Sequence, residues 1–240
     1  MRYYYDLHIH SCLSPCGDDE STPNNIINMG YLNGLNIKAL TDHNSCKNCP
    51  AFLKAAKNRG IVAIPGMELT TSEDIHIVCL FKNINDALSF DSVIEEKIIP
   101  FKNRVDIFGQ QMVMDENDQV ISVVDNLLSN ATTISVDEVV DLVKKYNGIC
   151  YPAHIYRQAN GIISILGFLP ERPVFRTVEF HDKEKIQEYT DKFSLSHTTV
   201  VSSDAHYLWD ISEAENFFEI DASLTDSQII EKIFECFGEL

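Results

Sequence analysis

Short apolar runs rich in β-branched and aromatic residues alternate with helical patterns along most of the chain. This alternation predicts strands over residues 3–9, 37–41, 61–64, 75–81, 149–151, 177–180 and 198–202. It predicts helices over residues 22–34, 50–59, 135–148, 183–193 and 225–237. Strands that alternate with helices indicate an α/β architecture with a largely parallel sheet.

Residues from about 83 to 133 interrupt this alternation. A helix is predicted at about 92–99, and two short strands follow on either side of the polar turn 115–118. Two short strands around a polar four-residue turn are typical of a β-hairpin. We interpret the segment as a helix-plus-hairpin insertion within a single domain that spans residues 1–240.

The composition is that of a folded protein, with 240 residues of which 45% are apolar. No apolar run reaches the roughly 18 residues of a membrane span, and the first residues lack a signal-peptide pattern. We therefore expect a cytoplasmic protein without a membrane partner. The formal net charge of −17 predicts that extended nucleic acid is not a partner. A small phosphorylated substrate or nucleotide is compatible with this charge, because bound cations can reverse it locally.

Six of the eight histidines lie within or at the end of predicted strands: His8, His10, His43, His76, His154 and His206. His8 and His10 are two residues apart, so they point to the same face of their strand. Glu68 ends the third strand. Functional side chains in parallel sheets and barrels gather at the carboxyl ends of the strands, so these groups are expected to converge. Histidines mixed with carboxylates are typical ligands of zinc, manganese or iron.

These residues lie in six blocks, at residues 6–11, 41–44, 65–68, 75–77, 153–154 and 203–206. The set of blocks resembles the PHP (polymerase and histidinol phosphatase) family of metal-dependent phosphoesterases. The resemblance implies a distorted, TIM-barrel-like (β/α)7 barrel of seven strands that holds two or three divalent metal ions.

By this resemblance, His8 and His10 would bind one ion and Glu68 would bridge two. The remaining ligands would be His43, His76, His154, Asp204 and His206. Asp6 and Asp42 fit a supporting role, in which a carboxylate accepts the second ring N–H of a ligating histidine.

The cysteines leave two questions open. The family usually has a further ligand shortly after His10; Cys16 stands nearest to that position, and Asp18 is the rival. A thiolate there would favour zinc or iron. A separate hypothesis is a structural zinc or iron–sulfur site, because the loops after the first two strands should be neighbours. Its four thiols would be Cys12, Cys16, Cys46 and Cys49, which could equally be packing residues.

Phosphate recognition requires cationic side chains from the protein. Arg157, three residues after His154, is the first candidate because its planar guanidinium suits bidentate phosphate binding. Lys102 and Arg104 are second candidates. His181, just after a predicted strand, is a candidate proton donor to the leaving group.

Three functions follow from these residues. The favoured one is hydrolysis of a phosphoester in a small metabolite, a nucleotide or a short oligonucleotide end, by a metal-activated water at a di- or trinuclear site placed by Glu68 and Asp204. The second is metal-dependent hydrolysis of a C–N or ester bond, since similar barrels support that chemistry. The third is a non-catalytic module that responds to thiol chemistry or metal.

Overall fold

Ten strands and eight α-helices alternate within residues 1–238, which the computed structural model describes; the last two positions of the predicted domain lie outside the described residues. The strands are β1 (Arg2–Asp6), β2 (Ile37–Leu40), β3 (Val62–Thr70), β4 (His76–Phe81), β5 (Met112–Met114), β6 (Val120–Val123), β7 (Gly148–Pro152), β8 (Thr177–Phe180), β9 (Thr198–Val201) and β10 (Phe217–Glu219). The helices are α1 (Pro23–Leu32), α2 (Cys49–Arg59), α3 (Ile84–Glu95), α4 (Val105–Phe108), α5 (Val136–Lys144), α6 (Ile162–Leu166), α7 (Glu184–Phe193) and α8 (Asp226–Phe237), with a 3-10 turn at Leu208–Asp210.

The main sheet has six strands in the order β10-β1-β2-β3-β4-β7, while β5 pairs with β6 and β8 pairs with β9. The α/β class is confirmed, but these hydrogen bonds do not form a continuous sheet of seven strands. The sheet is also more mixed than expected. Strands β1, β2 and β3 are parallel, whereas β4 is antiparallel to both β3 and β7. This reversal could not be predicted, because the pattern of an apolar strand is the same in either direction.

The reversal of β4 changes how its histidine reaches the site. His76 is the first residue of β4, and it pairs with Thr70 at the end of β3. A strand that runs antiparallel to its neighbours begins at the edge of the sheet where those neighbours end. His76 therefore lies at the same rim as residues that follow β1, β2 and β7.

Local capping signals explain most helix boundaries. The Thr22 side chain accepts a hydrogen bond from the amide of Asn25 at the start of α1, and capping boxes form at the start of α5 and α8. One prediction was wrong. The helix expected at about 92–99 runs instead over Ile84–Glu95. Asn83 begins it, because its side chain accepts from the amides of Asn85 and Asp86.

The segment between β4 and β7 packs beside the rim. The hairpin β5–β6 forms around the predicted turn, where the Asp115 carboxylate accepts from the amides of Asn117 and Gln119. Two isolated bridges, Ile98 to Thr132 and Lys102 to Asn126, close the base of the segment. No helix within the described residues has both the length and the apolar character needed to cross a bilayer.

The core contains one unusual charged side chain. Lys38 of β2 is fully buried, and its Nζ donates to the carbonyls of Ile27 at 2.7 Å and Ile26 at 3.4 Å in α1. The lysine crosses α1 at Gly30, where a Cβ would lie only 2.2 Å from Nζ. Burial lowers the pKa of Lys38 to about 7, although the nearby Asp6 opposes this effect.

Candidate metal centre

The backbone segments that carry the histidines are bonded to one another at the rim. The ladder between β2 and β3 continues as a parallel bridge between His43 and Glu68. A second parallel bridge joins Ile9, between the first two histidines, to Ala205. The sheet therefore curls until residues near both ends of the chain are neighbours, in agreement with a TIM-like barrel.

Two residues of the site have left-handed backbone conformations. His154 has φ of 28° and Asp204 has φ of 51°. Such conformations cost on the order of 1–3 kcal/mol for residues other than glycine, and they persist where the surrounding structure fixes them. Both side chains point into the same cluster as a result.

The carboxylate of Glu68 lies at the centre of the cluster. Its Oε1 faces three histidine nitrogens, of His76 at 2.9 Å, His154 at 3.1 Å and His8 at 3.3 Å. Its Oε2 faces two others, of His43 at 3.1 Å and His10 at 3.3 Å. Because its two oxygens face different histidines, Glu68 has the arrangement of a carboxylate that can bridge two cations.

Other polar groups fix the orientation of the first two histidines. Nδ1 of His8 lies 2.9 Å from a carboxylate oxygen of Glu179, which can only accept, so Nδ1 carries the proton. Nδ1 of His10 lies 2.9 Å from Oγ of Ser14, whose hydroxyl donates to Asp42. The Nε2 atoms of both rings are therefore directed at Glu68 and Asp204.

Three overlapping sets of side chains, each with ligand atoms within 4.8 Å of one another, could hold a cation. They are His8 with His10, Glu68 and Asp204; His43 with Glu68 and His76; and His10 with His43 and His206. Each histidine nitrogen binds one ion, so the shared members limit how many sets are filled at once. His154 is not a member of these sets, but it contacts Glu68.

Unpartnered buried atoms indicate that this cluster suits metal. Nδ1 of His43 and Oε2 of Glu68 lie 3.1 Å apart, yet neither has a hydrogen bond. Nδ1 of His154 is also buried without one. Buried polar atoms are nearly always paired, so orphaned ligand atoms that face each other fit a bound cation. The donor set of imidazoles and carboxylates fits zinc, manganese or iron.

Electrostatics in the cluster follow from burial and from the three carboxylates. Burial opposes protonation of His8, but Glu179, Glu68 and Asp204 raise its pKa well above the ordinary value. Burial also opposes ionisation of Glu68, but the surrounding histidines hold its pKa well below the ordinary value. Burial lowers the pKa of His76 to about 4, despite the nearby Glu68, and so favours the neutral form that binds metal.

Arg157 lies at the edge of the cluster. Its guanidinium donates to Oδ2 of Asp204 at 2.5 Å, while its side chain is 44% exposed. The other oxygen of Asp204 faces His10 at 3.1 Å. Asp204 therefore links a cationic group that reaches solvent to a histidine inside the cluster.

Cys16 reaches the cluster, and Asp18 does not. Desolvation would raise the pKa of the Cys16 thiol, but the nearby His43 and His206 lower it to about 5. The carboxylate of Asp18 instead accepts from the amide of Glu20 in a local turn. Cys16 is not a member of the three sets above, yet it lies beside the set of His10, His43 and His206.

The four-thiol hypothesis is not supported by the placement of the cysteines. The thiols of Cys46 and Cys49 share the carbonyl of Gly66, at 3.2 and 3.5 Å. The thiol of Cys12 contacts the carbonyl of Met112 instead. Among residues 1–238, no cysteine belongs to a set of three or more close ligand atoms.

Three other candidates lie outside the cluster. His181 is exposed in a neighbouring cavity of about 570 Å³, where Ser202 and Ser203 also line the wall. Arg104 pairs with Asp106 on the surface, and Lys102 belongs to the bridge described above.

Sequence reasoning missed Glu179 and gave Asp6 and Asp42 the wrong partners. Asp6 accepts from the amides of Ser203 and Ser212, and Asp42 accepts from Ser14; neither accepts from a histidine ring. Glu179 was detectable in principle, because a carboxylate in the middle of the apolar strand β8 would be buried.

Comparisons with known proteins agree with this site. A 5′-3′ exoribonuclease of Haemophilus influenzae is 38% identical over 83 residues, which is 33% of this chain and 29% of that protein. The lesion-specific endonuclease Q of Pyrococcus furiosus has a similar fold, with a TM-score of 0.63, 16% identity, and 87% of this chain matched to 49% of that one. This chain therefore spans about half or less of the length of these relatives.

Two further structures extend the comparison. A Bifidobacterium adolescentis protein, inferred to be a metal-dependent phosphoesterase, matches 99% of this chain with 98% of its own, with a TM-score of 0.54 and 15% identity. Endonuclease Q in complex with a 27-mer duplex has a TM-score of 0.60 at 16% identity, and 87% of this chain matches 50% of that one. The expectation that extended nucleic acid is not a partner is contradicted by this complex, in which a protein of this fold binds a duplex.

The PHP domain model matches residues 6–160, which include five of the six histidines of the cluster and Glu68. The remaining ligand-type residues, Asp204 and His206, follow β9 and meet the others through the bridge at Ile9. The resemblance drawn from the sequence blocks is confirmed, and the chain belongs to the PHP domain family.

Proposed function

We propose that the protein is a metal-dependent phosphoesterase that hydrolyses the phosphoester of a nucleotide or of an oligonucleotide end. The observation that carries the proposal is the Glu68 carboxylate, whose two oxygens face five histidine nitrogens within 3.3 Å. A centre of this kind suits phosphoryl transfer, in which charge on the phosphoryl oxygens must be neutralised. The nuclease names of the relatives support the choice of substrate.

The metal positions would be held by the three sets of side chains around Glu68 and His10. When bound, the ions lower the pKa of a coordinated water and neutralise phosphoryl charge. Glu179 and Ser14 keep the Nε2 atoms of His8 and His10 directed inwards. This fixed orientation supports metal affinity, because the rings need no rearrangement before they bind.

The substrate phosphate would bind at Arg157. Its guanidinium is partly exposed and has five N–H donors, so it can contact a phosphoryl oxygen while it keeps one bond to Asp204. His181, which lines the adjacent cavity, is the proposed proton donor to the leaving group. In this arrangement the cavity adjoins the metal cluster through Ser203, the residue before Asp204.

We also propose that seven of the strands form a barrel. The amide of Ile155, just after β7, donates to the carbonyl of Glu179 in β8 at 3.1 Å. Together with the bridge from Ile9 to Ala205, this bond supports a closed ring of β1, β2, β3, β4, β7, β8 and β9. The segment at about 83–133 would then be an insertion in that barrel.

Release of phosphate from monoesters, and of mononucleotides from oligonucleotides, tests the proposed activity. Protein purified anaerobically and loaded with manganese, zinc or iron is assayed against nucleotides, nucleotide bisphosphates, short oligonucleotides, histidinol phosphate and sugar phosphates. We expect turnover of a nucleotide or oligonucleotide that falls by at least about 100-fold in Asp204→Asn. Asp191→Asn, a change on the exposed face of α7, is the matched control and should leave the rate unchanged.

Two outcomes would overturn the proposal. One is the absence of hydrolysis of every phosphoester by protein with measured bound metal. The other is hydrolysis of amides or carboxylic esters without hydrolysis of phosphoesters, which would assign the centre to C–N or ester bonds.

A further inference from the structure

Two aromatic side chains are exposed on the segment that follows His206. The rings of Tyr207 and Trp209 stack with their centroids 4.8 Å apart and their planes inclined by 16°. Tyr207 is 41% exposed and Trp209 is 74% exposed. An exposed cluster of large apolar side chains beside a polar site is a common mark of a binding surface.

The backbone under these rings is held at both ends. The carbonyl of His206 accepts from the amide of Asp18 at 3.0 Å and from the hydroxyl of Ser21 at 3.4 Å. Beyond the 3-10 turn, the amide of Ser212 donates to the carboxylate of Asp6 at 3.0 Å. The rings therefore project from a fixed segment, and little conformational entropy is lost when a ligand stacks on them.

The stacked pair lies close to the proposed reaction centre. Tyr207 adjoins His206, and Trp209 is three positions after His206, so their Cα atoms are at most about 11 Å apart. Asp210, which follows Trp209, lines the same cavity of about 570 Å³ as Ser203, the residue before Asp204. A molecule whose phosphate is bound at Arg157 could therefore extend over the pair.

Flat aromatic faces of this kind select a planar ligand. Nucleobases stack on tyrosine and tryptophan with little dependence on sequence, because every base has a π face. Rigid stacked rings offer less to a flexible aliphatic chain. The rings also carry no positive charge that would attract a second phosphate, and Asp210 beside them is acidic.

We propose that Tyr207 and Trp209 form a stacking platform for the nucleobase next to the scissile phosphate. The proposal rests on the proposed phosphoester hydrolysis and adds that the platform selects substrates with a base. It assigns to the segment after His206 a role in substrate binding that is separate from the metal cluster.

Matched substrates that differ only in the base test the platform. One pair is adenosine 5′-monophosphate and ribose 5-phosphate; the other is a 5′-phosphorylated trinucleotide and the same molecule with an abasic first position. We expect Trp209→Ala to raise KM about 5- to 100-fold for the members with a base and less than about twofold for those without. Trp209→Phe should keep most of the affinity.

Phe168→Ala is the control, because Phe168 is an exposed aromatic residue on the segment that leads into the beginning of β8. Phe168→Ala should change KM neither for the substrates with a base nor for those without one. If Trp209→Ala raises KM more for the trinucleotide than for adenosine 5′-monophosphate, the platform serves a nucleic-acid strand. Equal increases in KM would assign it to a free nucleotide. The same rise in KM for both members of a pair, or no rise for either, would overturn the proposal.

Tryptophan fluorescence separates this proposal from the proposed activity. Trp209 is the single tryptophan of the chain, so its emission reports contact with a base directly. In the Asp204→Asn variant, adenosine 5′-monophosphate should quench the emission and ribose 5-phosphate should not. If no phosphoester is hydrolysed but the base still quenches, the activity fails and the platform stands. If hydrolysis proceeds with neither quenching nor a change in KM, the platform fails alone.

Discussion

Glu179 lies 2.9 Å from Nδ1 of His8, and the same carboxylate oxygen accepts from the amide of His154 at 3.1 Å. One carboxylate of β8 thus fixes both a histidine ring after β1 and the backbone after β7. These contacts join β8 to the ends of β1 and β7 at the point where metal would bind.

We expect Glu179→Gln to weaken metal binding by about 10- to 100-fold, because the amide can present its N–H to Nδ1 and so release the ring from its required orientation. Competition titration with a chromophoric chelator measures the affinity. Glu188→Gln, on the exposed face of α7, is the control. Unchanged affinity in Glu179→Gln, with an unchanged melting temperature, would show that the ring needs no such support.

Glu68→Gln should lower the number of bound ions, because a neutral amide cannot bridge two cations. We expect the loss of at least one ion per chain and a fall in activity of at least about 100-fold. Metal analysis of the purified variant gives the stoichiometry. Glu95→Gln removes an exposed carboxylate that pairs with Lys47 and should keep the full metal content. Equal metal content in the two variants would contradict a bridging role.

Cys16→Ala should weaken the binding of one ion by at least about tenfold, whereas Cys46→Ala should leave the metal content unchanged. The reason is position: Cys16 lies beside His43 and His206, and Cys46 contacts a carbonyl in the core. Metal analysis after dialysis against graded chelator distinguishes the two variants. A larger loss in Cys46→Ala would instead favour a thiol-centred site.

The stability of the protein should depend on pH through Lys38. Its pKa is about 7 when folded and about 10.5 in the unfolded chain, so the unfolded chain binds more protons between these values. Lys38 therefore makes the free energy of unfolding rise with pH from 7 to 10.5, with a slope of up to about 1.4 kcal/mol per pH unit. Below pH 7 Lys38 is protonated in both the folded and the unfolded chain. There the full cost of burying the charged lysine lowers the free energy of unfolding.

Lys38→Met should remove this slope and stabilise the protein at pH 6. Urea unfolding at several pH values measures it. Lys57→Met, at an exposed position near the end of α2, is the control and should keep the slope of the unchanged protein. The same pH dependence in Lys38→Met and in the unchanged protein would show that the buried lysine does not titrate in this range.

The sequence predicted much of the site because strand ends have a regular direction. The expected convergence of His8, His10 and His43 with Glu68 follows from the parallel strands β1, β2 and β3 and is present in the structure. His76 reached the cluster for a different reason, since β4 runs the opposite way. His76 therefore joins the cluster as expected, but from the beginning of its strand and not from the carboxyl end.

The supporting residues were harder to predict because their role depends on distant contacts. Glu179 is 171 positions from His8, and no local pattern links them. The same holds for β10, a short strand of three residues that forms by pairing with β1. By contrast, capping boxes at α5 and α8 were predictable, since both partners lie within one helical turn.

The bridge between Ile9 and Ala205 has a consequence for how the protein matures. Asp204 and His206 are made nearly two hundred residues after His8 and His10. A set of ligands that combines these residues cannot form until the segment with Asp204 has left the ribosome and closed against β1, which is a contact between distant parts of the chain and forms slowly. A bound ion would then hold the two distant segments together and stabilise only the finished fold. Metal uptake would thus depend on the correct closure of these two segments.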